Sequence, residues 1–185
     1  MSCELILGGA RSGKSREAER RAAQAAERGL AVTVIATAEA LDDEMSARIH
    51  RHQADRPAAW RTVEAPIALA EALGREAAAD RCLIVDCLTL WLSNLLADAD
   101  TLPPGTDAEA LPLFRTQREA LLALLPTLPG QLIFVANEVG LGLVPDTPLG
   151  RLFRDEAGRL NQAVAALCSR VVLVAAGLPL VLKQD

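Results

Sequence analysis

The segment GGARSGKS, Gly8–Ser15, matches the pattern G-x-x-x-x-G-K-[ST] of a phosphate-binding loop. A short apolar run, Leu5–Leu7, precedes it, and a helical pattern, Lys14–Arg28, follows it. Glycines allow successive backbone N–H groups to curl around a phosphate chain, and the start of the helix adds its partial positive charge. We therefore expect Lys14 to reach the β- and γ-phosphates of a nucleotide and Ser15 to ligate Mg²⁺.

Apolar runs alternate with helical patterns along the rest of the chain. The runs at Ala31–Thr37, Cys82–Cys87 and Gln131–Asn137 are continuous, which is typical of strands buried on both faces of a parallel sheet. This predicts an α/β fold with a mostly parallel sheet flanked by helices. The sheet is expected to end in a C-terminal strand pair within Arg170–Lys183, and the pattern allows this pair to be antiparallel. The other expected elements are helices at Asp42–Ala54, Pro66–Ala79, Glu109–Leu125 and Leu149–Cys168, a helix through Asn94 and Leu96, an extended Trp60–Val63, and a surface loop at Asp98–Asp107.

Length and composition limit the class of protein. The 185 residues suit one catalytic domain, 1–185, and with 51% hydrophobic but 3% aromatic residues the core must consist of Leu, Val, Ile and Ala. A net charge of −5 argues against binding to nucleic acid or to an anionic membrane. No apolar run reaches the roughly 18 residues that a membrane helix needs. We expect a soluble cytoplasmic protein with reduced thiols, in which Cys82 and Cys87 are buried.

Asp86 ends an apolar strand and is the natural second anchor for Mg²⁺. The alternative is a solvated carboxylate at a strand end. A GTPase is not supported, because the chain has no N-K-x-D guanine motif and its D-x-x-G match, Asp155–Gly158, falls inside a predicted helix. The phosphate loop by itself does not name the reaction.

Both histidines of the chain, His50 and His52, lie in the stretch RIHRHQADRP, Arg48–Pro57. The spacing of His52 from Ile49 places both on one helix face, so a hydrogen-bonded core histidine is one interpretation. The other is a catalyst, since an imidazole near a bound triphosphate can shuttle protons or attack phosphorus and carry the nucleotide. A local surplus of arginine favours a second anion there: Arg48, Arg51, Arg56 and Arg61.

Five segments, in order, resemble a known family: GGARSGKS, IATAEALDDEM, RIHRHQADRPAAWRTVE, NEVGLGLVP and FRDEAGRLNQ. The chain is similar to the bifunctional adenosylcobinamide kinase/adenosylcobinamide-phosphate guanylyltransferases of cobalamin biosynthesis. The resemblance implies a RecA-like P-loop NTPase fold, usually in a homotrimer. It implies two activities: phosphorylation of adenosylcobinamide with ATP or GTP, and transfer of GMP from GTP to adenosylcobinamide phosphate. The transfer passes through a covalent guanylyl-histidine and yields adenosylcobinamide-GDP and pyrophosphate.

The resemblance also implies roles for individual residues. The nucleophile of the family falls on His52, and His50 occupies a variable position of the same motif. Glu138, in NEVG, is a candidate for activating a substrate hydroxyl or water, with structural hydrogen bonding as the alternative. Some members have Glu where Asp86 stands, which leaves open whether Asp86 binds metal directly, through water, or contacts nucleotide. The implied nucleotide-binding residues are Gly8, Gly9, Ala10, Arg11, Ser12, Gly13, Lys14, Ser15, Thr37, Ala38, Glu39, Gln53, Ala54, Asp55, Arg56, Glu64 and Asp86.

Two other functions fit the same residues. A monofunctional member of the family would retain only the kinase step or only guanylyl transfer. A non-catalytic nucleotide-binding regulator or ATPase on the same fold would bind nucleotide without forming a covalent adduct.

Overall fold

The computed structural model describes residues 2–39, 56–97, 99 and 107–185. The predicted helix at Asp42–Ala54 lies outside the described residues, and with it His50, His52, Gln53 and Ala54; Asp55 and most of the predicted loop at Asp98–Asp107 lie outside them as well. The described strands are β1 (Ser2–Gly8), β2 (Ala31–Ala36), β3 (Arg61–Glu64), β4 (Arg81–Asp86), β5 (Gln131–Asn137), β6 (Arg170–Ala175) and β7 (Leu178–Gln184).

These strands form one sheet in the order β3-β2-β4-β5-β1-β6-β7. All neighbours pair in parallel except β6 and β7, which pair antiparallel. The expected mostly parallel α/β fold with a C-terminal strand pair is confirmed, and the carboxyl ends of β1 to β6 meet at one edge. The described α-helices are α1 (Lys14–Glu27), α2 (Leu69–Glu76), α3 (Leu88–Leu95), α4 (Pro112–Leu124) and α5 (Pro148–Leu167).

Alternate residues along the strands point to opposite faces of the sheet and contribute to two hydrophobic cores, one on each face. On one face α1 packs through Ala18, Ala22 and Ala25 against strand residues such as Ile6 and Ile84. Residues spaced by three or four positions share a helix face, and alanine at these positions lets α1 lie close to the sheet. The opposite face carries the larger core, built from residues of α2, α3, α4 and α5. The phosphate loop and α1 therefore lie on the side of the sheet opposite to the other described helices.

Helix boundaries differ from the expectation where proline intervenes. The predicted helix at Glu109–Leu125 is divided into a 3₁₀ turn, Ala108–Ala110, and α4, which begins at Pro112. Proline lacks a backbone N–H and restricts the preceding residue to extended conformations, and Leu111 is indeed extended. The helix expected over Pro66–Ala79 is shorter in the structure, Leu69–Glu76.

The cysteines are partly as expected. Cys82 and Cys87 are free and buried, and burial raises the pKa of the Cys82 thiol to about 12. The expectation of reduced thiols throughout is wrong for Cys3 and Cys168, which are joined in a disulfide. Sequence spacing gave no sign of this pair, because the two residues are 165 positions apart and meet only when β6 pairs with β1, where their Cα atoms are 4.6 Å apart.

None of the helices in the described part of the chain is long and apolar enough to cross a membrane.

Candidate nucleotide-binding site

The phosphate loop connects the carboxyl end of β1 to the first turn of α1. Two of its glycines are required by the geometry. Gly13, the N-cap residue of α1, has φ 99°, a left-handed conformation that side chains disfavour. A Cβ atom on Gly8 would lie 2.6 Å from the carbonyl oxygen of Val174 and 2.4 Å from Ser12 Oγ. The loop therefore approaches the neighbouring backbone more closely than any side chain would allow.

Hydrogen bonds hold the loop in this shape. The backbone N–H of Gly177, in the turn between β6 and β7, donates to the Ser12 carbonyl at 2.8 Å. Lys14 Nζ donates to the Gly9 carbonyl at 3.2 Å, so the ammonium group lies across the loop. No side chain caps α1 at Gly13, so the first backbone N–H groups of the helix are left for another acceptor, which suits an anion.

Asp86 and Arg56 form an ion pair beside the phosphate loop. Arg56 Nη2 lies 2.8 Å from Asp86 Oδ2, and the two side chains are 8% and 20% exposed. This ion pair lines a cavity of about 10 Å³, which is roughly the space of one water molecule. Ser15 and Glu19 line the same cavity. The structure thus brings the two predicted metal-binding residues, Ser15 and Asp86, to one cavity, and it places an arginine on the Asp86 carboxylate.

Thr37 joins the ends of β2 and β4. Its buried hydroxyl donates to the Cys87 carbonyl at 2.7 Å and accepts from the Cys87 N–H at 2.9 Å. Asn94 Nδ2, from α3, donates to the Thr37 carbonyl at 2.8 Å. These bonds occupy the Thr37 hydroxyl with structural partners and position the half-buried residues that follow, Ala38 and Glu39, beyond the strand ends.

Two further carboxylates lie at the same edge of the sheet. Glu64 ends β3, pairs in register with Ala36 and is exposed. Glu138 follows β5, and its backbone N–H donates to the Gly8 carbonyl at 3.1 Å. Its side chain accepts from the Gly140 N–H at 2.6 Å, so the carboxylate stabilises the turn that begins there. A structural role for Glu138 therefore has a specific partner, next to the phosphate loop.

Sequence reasoning missed three residues that shape the site. Glu19 lines the cavity beside Ser15 and Asp86, and its position four residues after Ser15 on α1 is a signal that could have found it. Asn94 and Thr89 act through tertiary hydrogen bonds, from Asn94 to Thr37 and from the Asn137 N–H to Thr89 Oγ1 at 2.7 Å. No local pattern indicates these bonds, because their partners are distant in the chain.

A phosphate loop at the carboxyl edge of a parallel sheet, with charged groups around it, defines a P-loop nucleotide-binding protein. The fold is similar to that of an ATPase from the type III secretion system of pathogenic bacteria, with a TM-score of 0.54 over 93% of this chain and 50% of that one, at 11% identity. The chain belongs to the family described as cobinamide kinase / cobinamide phosphate guanyltransferase, whose model matches residues 4–182.

Two relatives match over almost their whole length. The bifunctional adenosylcobalamin biosynthesis protein CobP of Pseudomonas aeruginosa is 58% identical over 182 residues, which cover 98% of each chain. The bifunctional adenosylcobalamin biosynthesis protein CobU of Escherichia coli is 40% identical over 182 residues, covering 97% of this chain and 98% of that protein.

Proposed function

We propose that the chain is a bifunctional enzyme of cobalamin biosynthesis that phosphorylates adenosylcobinamide and then guanylylates the product. The observation that carries the proposal is the convergence of the phosphate loop, the Arg56–Asp86 pair and Glu39 at one sheet edge, in a chain that matches a kinase/guanyltransferase family over residues 4–182. The proposed substrates are ATP or GTP for the first step and GTP for the second, with adenosylcobinamide and its phosphate as acceptors.

In the kinase step the acceptor hydroxyl oxygen attacks the γ-phosphorus of the nucleotide. The bond from the γ-phosphorus to the bridging oxygen breaks, the nucleoside diphosphate leaves, and a base receives the hydroxyl proton. Such transfer depends mainly on positioning and on neutralising charge. In this proposal Lys14 and the N–H groups at the start of α1 bind the phosphate chain, and Glu138 is the candidate base.

In the guanylyl step an imidazole nitrogen of His52 attacks the α-phosphorus of GTP, and pyrophosphate leaves. A phosphate oxygen of adenosylcobinamide phosphate then attacks the same phosphorus, and the P–N bond breaks to regenerate the histidine. The reaction between the two anions, GTP and adenosylcobinamide phosphate, is thereby divided into two steps with lower barriers. The residues proposed to hold the nucleotide include Gln53, Ala54, Asp55 and Arg56, directly after His52, as well as Thr37, Ala38, Glu39 and Glu64.

The residues around the small cavity fit Mg²⁺. A hydroxyl from Ser15 and a carboxylate from Asp86 are hard oxygen ligands of the kind this ion prefers, and they line one cavity. We propose that these two residues would hold it. When bound, Mg²⁺ would neutralise negative charge on the phosphate chain of the nucleotide.

The proposal extends to the assembly and the compartment. We place the enzyme in the cytoplasm, where ATP and GTP are available, as a homotrimer; both rest on the family likeness. The second candidate is a monofunctional member of the family, which the following experiment distinguishes.

The test of the proposal is incubation with GTP labelled at the α- or at the γ-position, followed by denaturation. We expect acid-labile, alkali-stable label from the α-position only, because a phosphoramidate survives alkali. His52→Ala should lose this adduct and still transfer γ-phosphate to adenosylcobinamide. His50→Ala is the matched control and should retain both reactions.

Other outcomes have definite meanings. An adduct retained in His52→Ala would assign the nucleophile to another residue. Nucleotide binding by the wild type with neither adduct nor phosphorylated corrinoid would support a non-catalytic regulator. Lys14→Ala should impair both steps, and unchanged kinase turnover in that variant would refute the role of the phosphate loop.

A further inference from the structure

A pocket of about 480 Å³ lies between the carboxyl end of α3 and the start of α5. Its apolar lining comes from Leu96, Leu149 and Phe153, and Ser93 and Thr147 contribute hydroxyl groups. Glu39, which follows β2 at the edge that carries the phosphate loop, also lines it. Its volume and its mixed lining are typical of a small-molecule site.

Residues 139–146, here called the apolar loop, follow β5 and lead directly into Thr147, which lines this pocket and precedes α5. Leu141 is 86% exposed, Leu143 is 96% exposed and Val144 is 63% exposed. Large apolar side chains that are exposed close together in a folded protein are typical of a binding surface. The loop therefore presents an uncovered apolar surface beside the sheet edge that carries the phosphate loop.

The exposure of these side chains does not come from a lack of local structure. At the start of the loop the Gly140 N–H donates to Glu138 Oε1 at 2.6 Å. At its end Arg151 Nη1 donates to the carbonyls of Pro145 and Asp146, at 2.9 and 2.8 Å. The backbone is anchored at both ends while the leucine side chains between point to solvent.

The pocket and the phosphate loop lie on opposite faces of the sheet. The phosphate loop continues into α1, which packs on one face, whereas α3 and α5 pack on the other. Glu39 and Glu138 follow the strand ends between them; Glu39 lines the pocket, and Glu138 is hydrogen-bonded to Gly8 of the phosphate loop. Two ligands could thus approach the strand ends from opposite sides and meet there, as group transfer between them requires.

We propose that the pocket and the apolar loop together form the acceptor site and bind the corrin ring of the corrinoid substrate. The identity of the ligand rests on the proposed function. A corrinoid is a large macrocycle with methyl groups on its rim and amide-bearing arms, so it exceeds what a pocket of this volume encloses and needs additional apolar surface. The apolar loop supplies that surface, and the polar lining near Ser93 and Thr147 suits the amide arms.

Equilibrium dialysis of adenosylcobinamide tests the site without any catalytic step. We expect the double variant Leu141→Ser/Leu143→Ser to bind this corrinoid at least tenfold more weakly than the wild type, because two exposed apolar contacts are removed. Ser93→Trp should weaken binding similarly, since the indole fills the pocket from an exposed position on α3. Leu113→Ser is the matched control, an exposed leucine on α4 that does not line the pocket, and should bind as the wild type does.

Two further measurements separate this inference from the proposed function. Labelling of each variant with α-labelled GTP in the absence of corrinoid should stay within twofold of the wild type, since that half-reaction needs no acceptor. Unchanged corrinoid binding in both site variants would overturn the acceptor site, as would weaker GTP binding in Ser93→Trp with normal corrinoid binding. The acceptor site would also be overturned if Leu141→Ser/Leu143→Ser dissociated the assembly and still bound the corrinoid with unchanged affinity. Failure of the wild type to bind adenosylcobinamide or to form the adduct would instead refute the proposed function.

Discussion

Arg56, the first residue that the structure describes after positions 40–55, forms an ion pair with Asp86 at the end of β4. Arg56 is two residues beyond Ala54, the last residue of the predicted histidine-bearing helix, and its guanidinium is only 8% exposed. A guanidinium at this depth is costly without an anion beside it. At the residue scale, Asp86 therefore stabilises the buried position of Arg56.

We expect Arg56→Ala and Asp86→Ala each to lower the free energy of unfolding by about 1–3 kcal/mol, because each leaves a poorly solvated partner. The double variant should lose less than the sum of the two, with a coupling energy of about 1 kcal/mol or more. Urea unfolding of the four proteins measures this cycle. The exposed pair Arg154–Asp155, also at 2.8 Å, is the control and should show coupling of less than about 1 kcal/mol. Equal coupling in the two pairs would contradict a special role for Asp86.

At the scale of elements, α1 carries its own electrostatic support next to the phosphate loop. Glu17, in the first turn, accepts hydrogen bonds from Arg20 at 2.7 and 2.8 Å and from Arg21 at 2.8 Å. The hydrogen bonds from Arg20 are the main cause that lowers the pKa of Glu17 below its ordinary value of 4.5; burial opposes the shift and Arg21 adds to it. A negative charge in the first turn also suits the helix dipole.

This shift predicts how stability depends on pH. Because the pKa of Glu17 is lower in the folded than in the unfolded state, its stabilising effect is complete above about pH 4.5 and is lost as the pH falls through the folded value. Glu17→Gln should therefore lower the free energy of unfolding by about 1–3 kcal/mol at pH 7, and the difference should shrink in acid. Urea unfolding at several pH values measures it, with the exposed Glu27→Gln on the same helix as the control. A constant difference from pH 7 down to the acid range would contradict the assignment.

At the scale of the whole molecule, one continuous sheet separates the two hydrophobic cores. The two tryptophans report on different faces: Trp91 is fully buried in the core on the α2–α5 side, and Trp60 packs against the core on the α1 side. Since the same strands contribute to both cores, neither can unfold without exposing the other. This suits the expectation of a single catalytic domain.

We therefore expect one cooperative unfolding transition. In Trp60→Phe the fluorescence of Trp91 should change at the same urea concentration as the far-UV circular dichroism. In Trp91→Phe the fluorescence of Trp60 should likewise change at the same urea concentration as the circular dichroism. The unfolding midpoint of this variant should be lower than that of the wild type, because the hydrogen bond from Trp91 Nε1 to the Ile67 carbonyl is lost. Comparison of the two probes within each variant removes that difference. Separate midpoints for fluorescence and circular dichroism would contradict a single folding unit.

The sequence by itself determined the alternation of strands and helices, the phosphate loop and the family. These depend on short-range physics: continuous apolar runs for buried strands, glycines where Gly8 and Gly13 meet close backbone and a left-handed φ, and a lysine and serine at fixed positions after them. Local patterning also predicted some helix boundaries wrongly. The helix expected over Glu109–Leu125 is interrupted before Pro112, because one proline there outweighs the helical pattern around it.

Only the tertiary structure decided which distant residues meet. The Cys3–Cys168 disulfide, the Arg56–Asp86 pair and the bond from Asn94 to Thr37 each join residues that are at least 30 positions apart. The pocket between α3 and α5 and its position opposite α1 likewise depend on strand order, which periodicity does not encode. The physical reason is that periodicity records which face of an element is buried, whereas partners across the sheet are selected by the packing of the whole chain.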